Sequence, residues 1–205
     1  MRCVNCGAFS LRTICAACAA NLAECRLGMR QVEGFSVFYY YGYSEIRELI
    51  LSKHHEYGAA VLARIASLSL AKFPLHLQRE ISANPQNYEA FKTDGIFKFN
   101  AVPLDDDARS GYSHTAILAL ALKSELVGPK FHCLRAQNRV KYTGQSLEFR
   151  LKHKRNFKIL TPPKFPVILV DDIITSGLSM LQARESLIGG GFMPVCGLVL
   201  ANAKE

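Results

Sequence analysis

Short apolar strands alternating with helical stretches predict an α/β fold, a parallel sheet flanked by helices, with a small cysteine-rich module in front of it. Three observations carry this expectation. Residues 1–30 hold two Cys-x-x-Cys pairs but no long amphipathic period. A continuous apolar run, Val167-Ile-Leu-Val170, has the pattern of a strand buried on both faces. That run turns polar abruptly at Asp171-Asp172, where an open α/β sheet would meet a ligand.

In the first segment, Cys3-Val-Asn-Cys6 and Cys15-Ala-Ala-Cys18 are separated by eight residues, the spacing of a structural zinc ribbon in which each pair sets two thiolates on one tetrahedral ion. Gly7, directly after Cys6, eases the turn that aims N–H groups at sulfur. Metal binding would supply the stability that so little apolar surface cannot. A redox role is the competing reading of a Cys-x-x-Cys pair, and two pairs in so short a span favour zinc. Cys133 and Cys196 fall in apolar strands and read as core residues, whereas Cys25 reads as a surface thiol.

The main domain is expected over 31–205. Phe35 to Tyr41 reads as a strand, and Ser44 to Leu51 as a helix with a serine N-cap and an acidic first turn. A second helix is predicted over Tyr57–Leu70, with a loop at Asn84 to Asn87. Gly95 to Val102 reads as a strand leading into the loop Pro103 to Gly111. A helix over Ser113–Leu126, a strand over Phe131–Leu134 and the strand Val167–Val170 follow. A helix over Gly177–Ile188, stopped by three glycines, and a last strand over Val195–Leu200 complete the order.

After Val170 the chain offers acceptor carboxylates at Asp171 and Asp172, then Thr175, Ser176, Gly177, Leu178 and Ser179 entering a helix. Hydroxyls and backbone N–H groups at a positive helix N-terminus suit a phosphate, and neighbouring acids suit sugar hydroxyls, so the segment reads as a sugar-phosphate site. An acidic turn that merely caps a helix is the blander alternative.

Twenty-five Lys and Arg against seventeen Asp and Glu give a net charge of +8, which favours a polyanionic partner. Basic residues concentrate at Arg135, Arg139, Lys141, Arg150, Lys152, Lys154 and Arg155, interleaved with Tyr142, Phe149 and Phe157. Such a segment can track phosphates and stack bases of single-stranded nucleic acid; it can equally be a solvated surface or a flap closing over the phosphate site. His54, His55 and His114 lack metal-site spacing and read as surface or satisfied polar residues. The N-terminus lacks the apolar run of a signal peptide, and no stretch of about twenty uncharged apolar residues occurs, so a cytoplasmic protein without membrane insertion is expected.

The run Val-Ile-Leu-Val-Asp-Asp-Ile-Ile-Thr-Ser-Gly-Leu-Ser, residues 167–179, resembles the signature of type I phosphoribosyltransferases. The resemblance implies that Asp171 and Asp172 hold ribose hydroxyls and that residues 175–179 hold the 5′-phosphate of phosphoribosyl pyrophosphate. Mg2+ would be carried by the pyrophosphate and sugar oxygens. Purine-using members have an acid where this chain has Thr175, which cannot do that chemistry at neutral pH.

Together with the cysteine module, the chain is similar to the ComF family of bacterial competence proteins, in particular its ComFC-type members. Lys53 falls on that family's characteristic lysine, and Pro103-Leu104 with Ser110 to Thr115 look like its segment around a Val-Pro-Leu turn. The family usually has basic residues where this chain has Asp105-Asp-Asp107, in the loop expected to hold pyrophosphate. The resemblance implies a phosphoribosyltransferase-like domain, structural Zn2+, binding of single-stranded DNA during natural transformation and contact with other DNA-uptake proteins. Transfer to an unknown nucleobase-like acceptor is the alternative use of the pocket.

Overall fold

Four of the five predicted strand runs contribute to one sheet in the computed structural model, which describes residues 2–104, 111–138 and 155–204. The first elements are α1 (Ala16–Ala23), β1 (Gly28–Val32), β2 (Phe35–Tyr39), β3 (Tyr41–Gly42), α2 (Tyr43–Leu51), α3 (Gly58–Leu68) and α4 (Phe73–Ala83). A small hairpin, β4 (Lys92–Thr93) and β5 (Ile96–Phe97), precedes β6 (Phe99–Pro103), α5 (His114–Leu120) and β7 (Val127–Pro129). The remainder comprises β8 (Leu134–Ala136), β9 (Phe157–Ile159), β10 (Val167–Ile174), α6 (Leu178–Gly189) and β11 (Pro194–Asn202).

The main sheet runs β1-β2-β11-β10-β6-β7, with β3 continuing beside β11. All of its pairings are parallel except that of edge strand β1 with β2. Alternation explains why the strands are apolar throughout. Ile168 and Val170 face one core, Val167 and Leu169 the other, so both faces of β10 need covering. Helices α2 to α5 cover one face, through residues such as Leu49, Leu62, Phe73 and Leu118; α6 covers the other through Met180, Leu181 and Leu187. Each such side chain, once fully buried, contributes roughly 1.5–3 kcal/mol of transfer free energy.

Residues of the cysteine module join the first core. Ile14, Ala19 and Leu22 are buried in the same cluster as α3 and α4, and the Tyr41 hydroxyl donates to the Leu22 carbonyl at 2.8 Å.

Several predicted boundaries move. The strand expected over Phe131–Leu134 is not a strand of the main sheet. Val127–Pro129 takes the sheet edge against Phe99–Ala101, where a proline costs no ladder bond, and Leu134–Ala136 pairs instead with Phe157–Ile159 in a separate antiparallel ribbon. The helix expected to reach Leu126 ends at Leu120, because Ser124 donates its N–H to Val127 and accepts from the Val127 N–H, closing a turn. The helix after β3 is capped by Gly42, whose N–H donates to Glu45 at 2.6 Å, so Ser44 lies inside it. Strand β10 extends past Val170 through both aspartates, paired with β11 up to Ile174 and Asn202. Helix α4, with Pro74 in its first turn, fills a stretch that the sequence left without an element.

The stretch from Gly58 to Ala83, covering α3 and α4, contains 18 consecutive residues with a mean hydropathy of 1.3, long and apolar enough to cross a bilayer by length and composition only. Half of those 18 residues are buried, as in core helices of this composition.

Candidate functional site

The four predicted cysteine ligands come together. Cys3 and Cys18 are buried, Cys15 is half-buried and Cys6 exposed, and their sulfurs all lie within 4.8 Å of one another. Cys6 Sγ and Cys15 Sγ are 3.7 Å apart; a tetrahedral ion with zinc–sulfur bonds of about 2.3 Å would separate its ligands by about 3.8 Å. The backbone builds the site locally. Gly7, at φ +74°, turns the first knuckle so that its N–H donates to the Cys3 carbonyl at 2.9 Å, and the Cys15 N–H donates to Cys3 Sγ at 3.3 Å.

Burial raises the Cys3 thiol, but hydrogen bonds from the backbone of Cys15, Cys6 and Asn5 bring it down to about 6. For Cys18 the Asn5 side chain lowers the value, whereas burial and the other three thiols push it up to about 12. Four sulfurs this close cannot all ionise without a cation between them. The cluster could hold a metal such as zinc.

The second site grows from the end of β10. Asp171 is half-buried, Asp172 buried, and the Asp172 N–H donates to Asp171 Oδ1 at 2.9 Å. Thr175 is exposed, Ser176, Leu178 and Ser179 are half-buried, and Gly177 is buried. Gly177 sits at φ +87° at the N-cap of α6, where a Cβ would lie 2.6 Å from the Val32 side chain. Only glycine lets β10 turn this sharply onto the helix N-terminus. Ser176 Oγ accepts from the Leu178 N–H at 3.4 Å, and the Leu181 N–H reaches back to the Gly177 carbonyl.

Pro103 and Leu104 lie alongside. Pro103 pairs with Val170, the Leu104 N–H donates to the Val170 carbonyl at 2.8 Å, and the Leu104 side chain is buried in the second core. Their contribution to the site is therefore backbone. The Thr115 hydroxyl donates to the Leu104 carbonyl, tying α5 to the same edge.

Charge around the acids is arranged in pairs. Lys53 Nζ donates to Asp172 Oδ2 at 2.5 Å, with the two side chains 19% and 10% exposed. Its backbone is held by the Tyr112 hydroxyl, which donates to the Lys53 carbonyl at 2.9 Å. Burial works against the charge on Lys53, but Asp172 outweighs it and raises the ammonium above its ordinary value. Burial likewise raises Asp172, and Lys53 and His114 reverse this to hold the carboxyl low. Asp171, pushed up by burial and by the neighbouring Asp172 charge, reaches about 8 even though Arg155 pulls the other way. At neutral pH one of the two acids therefore carries the charge and the other the proton.

His114 is thus not a bystander: α5 starts there, N-capped by Ser113, and brings the ring within electrostatic reach of Asp172. Its spacing in the sequence carries no trace of this. His54 and His55 are exposed, as read. Cys133 and Cys196 are buried as expected; Cys25 is half-buried, its thiol directed at the Leu68 carbonyl at 3.8 Å.

Of the basic residues singled out, Arg135 and Arg155 are described. Arg135 is exposed on β8 directly opposite Lys158 on β9. Arg155 lies at the other end of the ribbon, where its N–H donates to the Gln182 side chain of α6 and its charge acts on Asp171. Arg139, Lys141, Tyr142, Arg150, Lys152 and Lys154 lie outside the described residues, as do Asp105–Asp107.

Arg30, which the sequence did not single out, reaches the loop between β10 and α6 from β1: its Nη1 donates to the Thr175 carbonyl at 2.7 Å and to Asn202 Oδ1 at 3.2 Å. A cleft of about 630 Å³ lies elsewhere, between the cysteine module and the ends of β2 and β3, with Asn21, Glu24, Arg26, Tyr39 and Tyr41 in its walls. No protein-family model matches this chain, and no curated protein matches it in sequence.

Proposed function

We propose that the chain binds phosphoribosyl pyrophosphate in a phosphoribosyltransferase-like pocket and acts as a ComFC-type competence protein, handling single-stranded DNA in the cytoplasm during natural transformation. The observation that carries the ligand reading is one continuous turn. The acid pair lies near the C-terminal end of the central parallel strand and, five residues after Asp172, Gly177 delivers the chain onto the N-terminus of a twelve-residue helix. Carboxylates accept from ribose hydroxyls while N–H groups and the helix dipole hold the 5′-phosphate. Mg2+ would be held by the ligand's own oxygens.

The DNA reading is supported by the net charge of +8 and by Arg135 facing Lys158 across the exposed ribbon. Structural zinc on the four cysteines would lock the module that packs against α3.

Calorimetric titration with phosphoribosyl pyrophosphate, with and without Mg2+, tests the pocket: saturable heat is expected, and none from the Asp171→Asn, Asp172→Asn double variant. Fluorescence anisotropy of labelled single-stranded DNA at low salt tests the second half, and no change would refute it.

A transferase using a nucleobase-like acceptor is the second reading, favoured by Asp171, which retains a proton near neutral pH and could donate it. Pyrophosphate release with a panel of bases, absent in the same double variant, is its test.

A further inference from the structure

We propose that Arg30 is a positioning residue for the phosphate loop, holding the Thr175–Ser176 peptide so that its N–H is presented for the 5′-phosphate; this rests on the phosphoribosyl reading of the pocket. Strand β1 reaches the loop because Glu33 and Gly34, at φ +47° and +76°, form a two-residue hairpin that pairs Val32 with Phe35 and Arg30 with Val37. With that register, Arg30 and Val32 share one face of the strand.

Both residues touch the loop. Val32 occupies the space a Cβ on Gly177 would need, and the Arg30 guanidinium bonds the Thr175 carbonyl at 2.7 Å. Asn202, at the end of β11 and in register with Ile174, is the second acceptor for the same nitrogen at 3.2 Å, so the guanidinium bridges loop and sheet.

A trans peptide is planar, with its C=O and N–H pointing in opposite directions. Drawing the Thr175 carbonyl toward β1 therefore turns the Ser176 N–H away from β1. The bond is charge-assisted, which makes it stronger than a neutral one and adds a positive charge beside an anion-binding loop. A loop that must present N–H groups without a ligand in place needs such a support, since a free peptide plane would rotate and lose part of the binding energy in ordering.

The experiment is calorimetric titration of the full chain with ribose 5-phosphate and, separately, with pyrophosphate, comparing wild type, Arg30→Met and Arg30→Lys. Arg30→Met is expected to weaken ribose 5-phosphate by about tenfold, the loss of one charge-assisted hydrogen bond, while leaving pyrophosphate affinity unchanged. Arg30→Lys is expected to restore most of the loss, because an ammonium can donate to the same carbonyl.

A merely structural role for Arg30 would weaken both ligands together, and that outcome, or equal ribose 5-phosphate affinity in wild type and Arg30→Met, overturns the proposal. Should Arg30→Met not fold, Asn202→Ala, which removes the second anchor of the guanidinium, must lower ribose 5-phosphate affinity several-fold; no change overturns the proposal as well. Wild-type protein that fails to bind ribose 5-phosphate overturns the phosphoribosyl reading itself, before any variant is compared, and the role of Arg30 falls with it.

Discussion

At Asp171 and Asp172 two carboxyls of the same chemistry are driven apart by their surroundings. Lys53 keeps Asp172 charged, and burial together with that charge pushes Asp171 up to about 8. The consequences for stability have opposite signs. The folded chain retains the Asp171 proton over the window from the ordinary carboxyl value of 3.8 to about 8. The unfolded chain releases it there, so this residue lowers stability as pH rises through that range. Asp172, held low, adds stability above the ordinary carboxyl value that is lost as pH falls through its folded one. Asp171→Asn should accordingly raise Tm at pH 8 and leave it unchanged near pH 4, a contrast that thermal melts across pH will show. Lys53→Met strands a buried carboxylate and should cost about 3 kcal/mol in urea unfolding, most of it recovered by adding Asp172→Asn. The aspartates were legible as site residues because they interrupt an apolar strand. Lys53 and His114 act on them from 119 and 58 positions away; the family resemblance drew attention to Lys53 and to the segment around His114, but no local spacing shows that either meets the aspartates.

At the level of the element, the turn from β10 into α6 is tightly constrained backbone. Gly177→Ala combines a Cβ at φ +87° with a collision against Val32, so it should destabilise the fold by about 1–3 kcal/mol. The same variant should abolish ribose 5-phosphate binding in calorimetry, since the loop can recover space only by moving its N–H groups. The cysteine module depends on a different kind of support. A chelator should increase hydrogen exchange over residues 2–23 while β10 and β11 keep their protection, and mass spectrometry of exchanged peptides will separate the two. Unchanged exchange in the module would remove the structural role of the metal. Ile14 and Leu22 are buried in the main core, so the segment should loosen rather than detach. The Cys-x-x-Cys pairs announced the four-cysteine cluster in the sequence, whereas this burial did not show, because an isolated apolar residue says nothing about the surface it meets.

Across the whole molecule, a net charge of +8 and the exposed pair Arg135 and Lys158 make the DNA prediction an electrostatic one. Affinity for single-stranded DNA should fall steeply with added salt, and Arg135→Glu with Lys158→Glu should weaken it several-fold and flatten the salt dependence, as read by anisotropy titrations. How far such a molecule can be read in advance depends on the range of the forces involved. Legible from local pattern alone were the α/β class, strands β2, β10 and β11, helix α6, the four cysteines and the acid pair with its glycine turn. Each rests on a local rule: side-chain alternation, ligand spacing, or the backbone freedom of one residue. Long-range packing settled that Val127–Pro129 rather than Phe131–Leu134 takes the sheet edge, that α4 closes the first core, and that Lys53, His114, Arg155 and Arg30 converge on the aspartates and the turn into α6. Those choices are made between segments far apart in the chain, where edge pairing, burial and charge compensation are settled by what each segment finds opposite it.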